Sequence, residues 1–129
     1  MTVSTVSEPM IYLVDDDAPV RDALIIFFEV CGYSVEVYDS SEAVLQHADE
    51  IHQGVLVLDI RLPGISGIEL QTELQKRGIS IPVIFVTGHG DEEIKQAVKQ
   101  AGAIGFFEKP IDHSALLNLI DSALTKMGN

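Results

Sequence analysis

The chain has 129 residues, 47% of them apolar, with 20 Asp and Glu against 8 Lys and Arg and a net charge of -12. That is enough for one domain with one hydrophobic core, too little for two, and too apolar for a disordered chain. The acidic excess excludes a phosphate-backbone binder, whose affinity comes from cationic contacts, and a domain drawn to anionic lipid.

In chain order, residues 1–8 (MTVSTVSE) read as a flexible N-terminal tail, with neither the basic start nor the apolar core of a signal peptide. Residues 9–127 then read as a single domain. Strand one is Met10–Val14. The first helix opens near Ala18 and Pro19, where Pro suits a first turn. Val20, Leu24, Phe27 and Cys31 recur at helical spacing, and Gly32 ends the helix. Cys31 is therefore expected on the core side as a small buried hydrophobe. Strand two is Ser34–Tyr38 and the second helix about Ser41–Ala48. Strand three, Val55–Leu58, reads VLVL, and strand four, Val83–Val86, reads VIFV. Both are apolar on two faces, the mark of a parallel sheet covered on each side. Between them a helix starts at Ser66, with Glu69 placed for a capping box, and runs to Gly78. The fourth helix starts at Asp91, followed by Glu92 and Glu93, and ends at Gly102. Strand five is Gly105–Phe107, and the fifth helix, about His113–Lys126, buries Leu116, Leu117, Ile120 and Leu124. The alternation predicts an α/β fold, a (βα)5 doubly wound parallel five-stranded sheet. No apolar run approaches the ~20 residues of a membrane span. With Cys31 as the one cysteine there is no internal disulfide, and a reducing, cytoplasmic location is the simpler expectation.

The residues after each strand carry the chemistry. Asp15, Asp16 and Asp17 follow strand one, Asp59 strand three, Thr87 strand four, and Lys109 strand five. Ligands of open α/β sheets bind beyond the carboxyl ends of the strands, at the switch in strand order. In the order 2-1-3-4-5 strands one and three are neighbours there, so Asp15, Asp16 and Asp59 would converge, with Thr87 and Lys109 closing the other side. Converging carboxylates repel and raise each other's pKa. A hard divalent cation removes that penalty, and Mg²⁺ takes one or two carboxylates while keeping several waters. The neutralised site could admit a phosphoryl group, with one carboxylate as nucleophile, Lys109 as balancing cation and the Thr87 hydroxyl as donor. Singly each signal is weak, since acids after a strand are commonly helix caps and a strand-end Thr commonly packs. The ordered set carries the weight.

The segments LVDDDAPVR, VLDIRLPGISG, VIFVTGHGD and GFFEKP resemble the receiver domain of bacterial two-component response regulators, over essentially the whole chain after the tail. VTGHGD and EKP further resemble receivers of the nitrogen-fixation regulator type. The resemblance implies a flavodoxin-like fold with Asp59 as phosphoacceptor. It implies Mg²⁺, or Mn²⁺ in its place, held by Asp15, Asp16, Asp59 and the backbone carbonyl of Arg61. Thr87 and Lys109 become switch and phosphate contacts, Phe106 the aromatic switch, and Lys109–Pro110 a cis peptide bond. The implied partner is a sensor histidine kinase or a phosphotransfer protein, with a homodimer through the fourth helix, strand five and the fifth helix as a further expectation. No direct binding of nucleic acid or membrane is expected of this domain. The domain would catalyse its own phosphorylation and dephosphorylation without being a metabolic enzyme.

Blander readings stand beside these. Asp17 is better read as a helix cap than a metal ligand. The Arg61 and His89 side chains could tune phosphoryl lifetime or simply be solvated. A phosphatase with an aspartate nucleophile would show a second acid where Arg61 stands. A flavin carrier would not put Asp15-Asp16-Asp17 against a phosphate, and no GxxxxGK[ST] loop occurs. The remaining alternative is a degenerate receiver, a phosphorylation-independent interaction module.

Overall fold

A computed structural model describes residues 9–127; the expected tail at 1–8 lies outside the described residues. The strands are β1 (Met10–Val14), β2 (Ser34–Tyr38), β3 (Gly54–Asp59), β4 (Val83–Thr87) and β5 (Gly105–Glu108). The helices are α1 (Ala18–Val30), α2 (Ser41–Gln46), α3 (Gly67–Lys76), α4 (Glu92–Gln100) and α5 (His113–Met127). All strand pairs are parallel, in the order β2-β1-β3-β4-β5. The winding starts at β1, steps out to β2, then reverses across β3, β4 and β5. With right-handed crossovers that reversal puts α1 and α5 on one face and α2, α3 and α4 on the other.

Each face has its own core. Ile11, Leu13, Val55, Val57, Ile84 and Val86 meet Leu24 and Phe28 of α1 and Leu116, Ile120 and Leu124 of α5. The alternate residues Tyr12, Val14, Leu56, Leu58 and Phe85 meet Val44, Leu70, Leu74 and Val98 on the opposite side. All six residues of β3 are buried, as a central strand between two helical layers requires. Each fully buried Leu or Ile contributes about 1.5–3 kcal/mol relative to exposure.

The helix starts follow their capping residues. The Asp17 carboxylate accepts from the Val20 N–H and caps α1, with Pro19 in the first turn. Ser66 and Glu69 form the full reciprocal capping box at α3, and Asp91 caps α4. Three readings are corrected. The core stripe of α1 runs through Leu24 and Phe28, so Phe27 is half-buried and Cys31 lies exposed at the C-cap, past the last helical turn. The second helix stops at Gln46 and continues only as a single 3-10 turn, Ala48–Glu50. The fifth helix buries Leu116 and Ile120 fully and Leu124 nearly so, while Leu117, expected on the same face, is only half-buried.

Candidate functional site

The sheet register brings the acids together. Val14 of β1 pairs with Leu58 of β3, so Asp15 and Asp59 stand next in line at adjacent strand ends. Asp59 in turn pairs with Val86, one residue before Thr87. The β3–α3 loop folds tightly back here: Gly67 N–H donates to the Ile60 carbonyl at 2.9 Å, and a Cβ on Gly67 would collide with the Asp59 carbonyl oxygen. Only glycine lets the start of α3 approach the Asp59 backbone so closely.

Asp15 and Asp59 are 2% and 4% exposed, whereas Asp16 is exposed. Lys109 reaches both buried acids, with Nζ 3.1 Å from Asp15 Oδ2 and 3.1 Å from Asp59 Oδ2. Asp59 Oδ1 accepts from the Arg61 N–H at 3.0 Å, and Asp15 Oδ1 from the Asp17 N–H at 2.8 Å. Burial, and then the Asp15 charge, raise the Asp59 pKa from 3.8 to about 6; Lys109 and the Arg61 N–H oppose the rise without cancelling it. Burial pulls the Lys109 pKa down, but the hydrogen bonds and charges of Asp15 and Asp59 outweigh it and leave it raised. One cation therefore serves two buried carboxylates, and the site remains short of positive charge.

Thr87 is fully buried at the end of β4. Its hydroxyl accepts from the His89 N–H at 3.3 Å and donates to the His89 carbonyl at 3.4 Å, long contacts within its own turn. The His89 and Arg61 residues are exposed, and no hydrogen bond to either side chain is present among the described residues. Phe106 lies on β5, beside the register partner of Val86, half-buried against the α4 side of the core. Its ring fills the space over Gly90, where a Cβ would lie 2.7 Å from Phe106 Cζ. The Lys109–Pro110 bond is cis.

Arg21 is a functional candidate the sequence reading passed over. Its Nη1 donates to the Asp15 carbonyl at 2.8 Å, fixing the backbone that carries the acids. A cation in the first turns of a helix is disfavoured by the helix dipole, and that misfit was the available signal.

The donor set suits a hard cation. One carboxylate oxygen each from Asp15, Asp16 and Asp59 lies within 4.8 Å of the others. Three oxygen donors, two buried and mutually repelling, are the chemistry Mg²⁺ selects.

A five-stranded 2-1-3-4-5 sheet with this acidic pocket defines a class. Residues 11–121 match the response regulator receiver domain, and the chain belongs to that family. The transcriptional regulatory protein FixJ of Rhizobium meliloti (strain 1021) is 39% identical over 113 residues, covering 88% of this chain and 55% of that protein. The response regulator protein TmoT of Ectopseudomonas mendocina is 43% identical over 119 residues, covering 91% of this chain and 53% of its own length. The chain thus spans about half the length of these relatives. Among solved structures, the crystal structure of FixJ-N superposes with a TM-score of 0.84 at 37% identity, over 93% of this chain and 96% of that one. Full-length FixJ from B. japonicum gives 0.84 at 33% identity, over 94% of this chain and 60% of that one. The likeness to nitrogen-fixation-type receivers is thereby met. Receiver domains bind Mg²⁺ at an acidic pocket and interact with histidine kinases or phosphotransfer proteins. No described helix is long and apolar enough to cross a membrane.

Proposed function

We propose that this receiver accepts a phosphoryl group on Asp59 and uses it to reshape its α4–β5–α5 surface. The observation that carries the proposal is the buried Asp59 carboxylate, paired with Asp15 and held by Lys109. An Asp59 oxygen attacks phosphorus; the bond from phosphorus to a partner's histidine nitrogen, or to the acetate oxygen of acetyl phosphate, breaks, and the leaving group departs with its electron pair. Water later attacks the acyl phosphate, releasing phosphate and restoring the carboxylate. Asp15, Asp16, Asp59 and the Arg61 carbonyl would hold Mg²⁺, with Mn²⁺ a workable substitute. When bound, the metal neutralises the acids and the incoming phosphoryl oxygens.

The chain's own residues do the rest. Lys109 has its ammonium on Asp59 Oδ2 and can follow the charge onto the phosphoryl group. The Arg61 N–H keeps the carboxylate oriented. The long contacts of the Thr87 hydroxyl are easily exchanged for a charge-assisted bond to a phosphoryl oxygen. Movement of Thr87 would free space for the Phe106 ring. Shifting a population from 1:99 to 99:1 takes about 5.5 kcal/mol, more than one hydrogen bond supplies, so metal, Lys109 and Thr87 act together. The exposed Arg61 and His89 side chains flank the pocket and would tune phosphoryl lifetime. The cognate partner is a sensor histidine kinase or phosphotransfer protein in the cytoplasm, and homodimerisation through α4–β5–α5 is one output the change could drive.

Incubation with acetyl phosphate and Mg²⁺ tests this. Intact-protein mass spectrometry should show one added phosphoryl group on the wild type and none on Asp59→Asn. Equal labelling of the two would defeat the assignment.

A further inference from the structure

β2 is an outer strand of the sheet, and the register decides which of its backbone groups are free. The Asp15 N–H donates to the Tyr38 carbonyl at 3.3 Å, so Tyr38 turns its backbone groups toward β1, as do Glu36 and Ser34 two and four residues earlier. Val35 and Val37 turn theirs outward, where no strand follows. Among the described residues no other backbone group takes them up. Such an edge is a template for one more strand.

Along this edge, on the α2 side, run two open hollows of about 530 and 280 Å³ that share Glu36, Tyr38 and Glu50 as wall. Tyr38 is only 8% exposed, yet its hydroxyl has no hydrogen-bond partner among the described residues and is not sealed off from the hollows. A polar group so deeply placed calls for a partner from outside. Burial first, then the charges of Glu36 and Glu50, raise the Tyr38 pKa, which sets the hydroxyl among those carboxylates. The one Arg or Lys in these walls, Arg21, is engaged with the Asp15 carbonyl, and His47 is bonded to Glu50. Glu36, and Asp39 at the end of the first hollow, have no ion pair among the described residues.

We propose that the β2 edge docks an extended, basic segment of a partner protein, which joins the sheet as a sixth strand. Its backbone pairs with Val35 and Val37, and one of its carbonyls accepts from the Tyr38 hydroxyl. Its side chains alternate between the two faces. Those on the α2 side are Lys or Arg and meet Glu36, Asp39 and Glu50; those on the α1 side are apolar and cover the half-buried Val35 and Val37. A second copy of this chain does not fit, because pairing β2 with itself about its midpoint sets Glu36 against Glu36. Nor do residues 1–8, which contain no Lys or Arg. The edge lies across the sheet from β5, so docking does not depend on phosphorylation of Asp59.

The test uses the full chain, ¹⁵N-labelled, titrated with the end-blocked peptide Lys-Val-Lys-Val-Lys and with its fully N-methylated form, which keeps the charge and loses strand pairing. The plain peptide should bind saturably, with amide shifts centred on Val35, Val37 and Tyr38 and slowed hydrogen exchange at the Val35 and Val37 amides. The N-methylated form should bind about tenfold more weakly, the scale of lost backbone hydrogen bonds. Glu36→Gln and Tyr38→Phe should each weaken the plain peptide by about threefold to fivefold, the scale of one exposed ion pair or one hydrogen bond. Equal binding of the two peptides would overturn the proposal, as would shifts centred on Asp15 and Asp59 or scattered over the acidic surface. So would unchanged exchange at Val35 and Val37, or wild-type affinity in both variants.

Discussion

Replacing Asp59 by Asn should make the metal-free protein more stable, and by an amount that depends on pH. The Asp59 pKa is 3.8 in the reference state and about 6 in the fold, raised by burial and by Asp15. Between those values the folded chain holds a proton that the unfolded chain has released. Stability therefore falls as pH rises through this window and levels off above it. The full shift is worth about 3 kcal/mol at ~1.4 kcal/mol per unit. The Asn oxygen still accepts from the Arg61 N–H, and Lys109 keeps Asp15, so little is lost in exchange. Urea denaturation in chelator at about pH 7.5 should thus show Asp59→Asn more stable by about 1–3 kcal/mol, a midpoint shift on the order of 1 M. At about pH 5 the unfolded-state carboxylate is still mostly ionised while the folded one is mostly protonated, and the gap should shrink to roughly half. Millimolar Mg²⁺ should close it from the other side, stabilising the wild type alone. Asp59→Asn less stable than wild type at both pH values, or a gap indifferent to pH, would show that Asp59 is held favourably and that the repulsion argument is wrong.

Asp16→Asn should weaken Mg²⁺ binding sharply in isothermal titration calorimetry, because Asp16 supplies one of three converging oxygens, yet leave the metal-free fold at least as stable; marked destabilisation in chelator would make the residue structural. Gly90→Ala places a Cβ 2.7 Å from Phe106 Cζ and 3.2 Å from Glu108 Cδ. It should destabilise by about 1 kcal/mol, the low end for overpacking, since the half-buried ring can turn aside; unchanged stability and unchanged Phe106 resonances would contradict that contact. Thr87→Ala should still accept phosphate on Asp59, with smaller amide shifts around Phe106 and α4 on beryllofluoride binding; wild-type shifts in size and direction would remove Thr87 from the coupling.

The fold was legible because local and global signals agreed. β3 reads as buried on both faces because it is central, and Asp17, Ser66 and Asp91 announce helix starts that the hydrogen bonds then make. The 2-1-3-4-5 order turned acids far apart in sequence into one cluster. What stayed hidden depends on helix phase or on contacts across space. The Val20–Leu24–Phe27–Cys31 spacing is helical, but so is Leu24–Phe28, and only packing against Leu13 and Ile120 selects the second. The reach of Arg21 to the Asp15 carbonyl spans six residues of chain and shows only in the fold. Gly67 and Gly90 each make room for a specific neighbour across space, the Asp59 carbonyl and the Phe106 ring. Gln71 sits among the helical polar residues of α3 with no pattern to mark it as buried.

The central claim is that phosphorus is carried by Asp59. Borohydride reduces an aspartyl phosphate to homoserine, so treating the phosphodonor-labelled protein and mapping its peptides reads the site directly. Homoserine at position 59, dependent on Mg²⁺ and absent without the phosphodonor, is the result this account requires. Homoserine at Asp15, Asp16 or Asp17 instead, or at no position despite a stable mass gain, would contradict it.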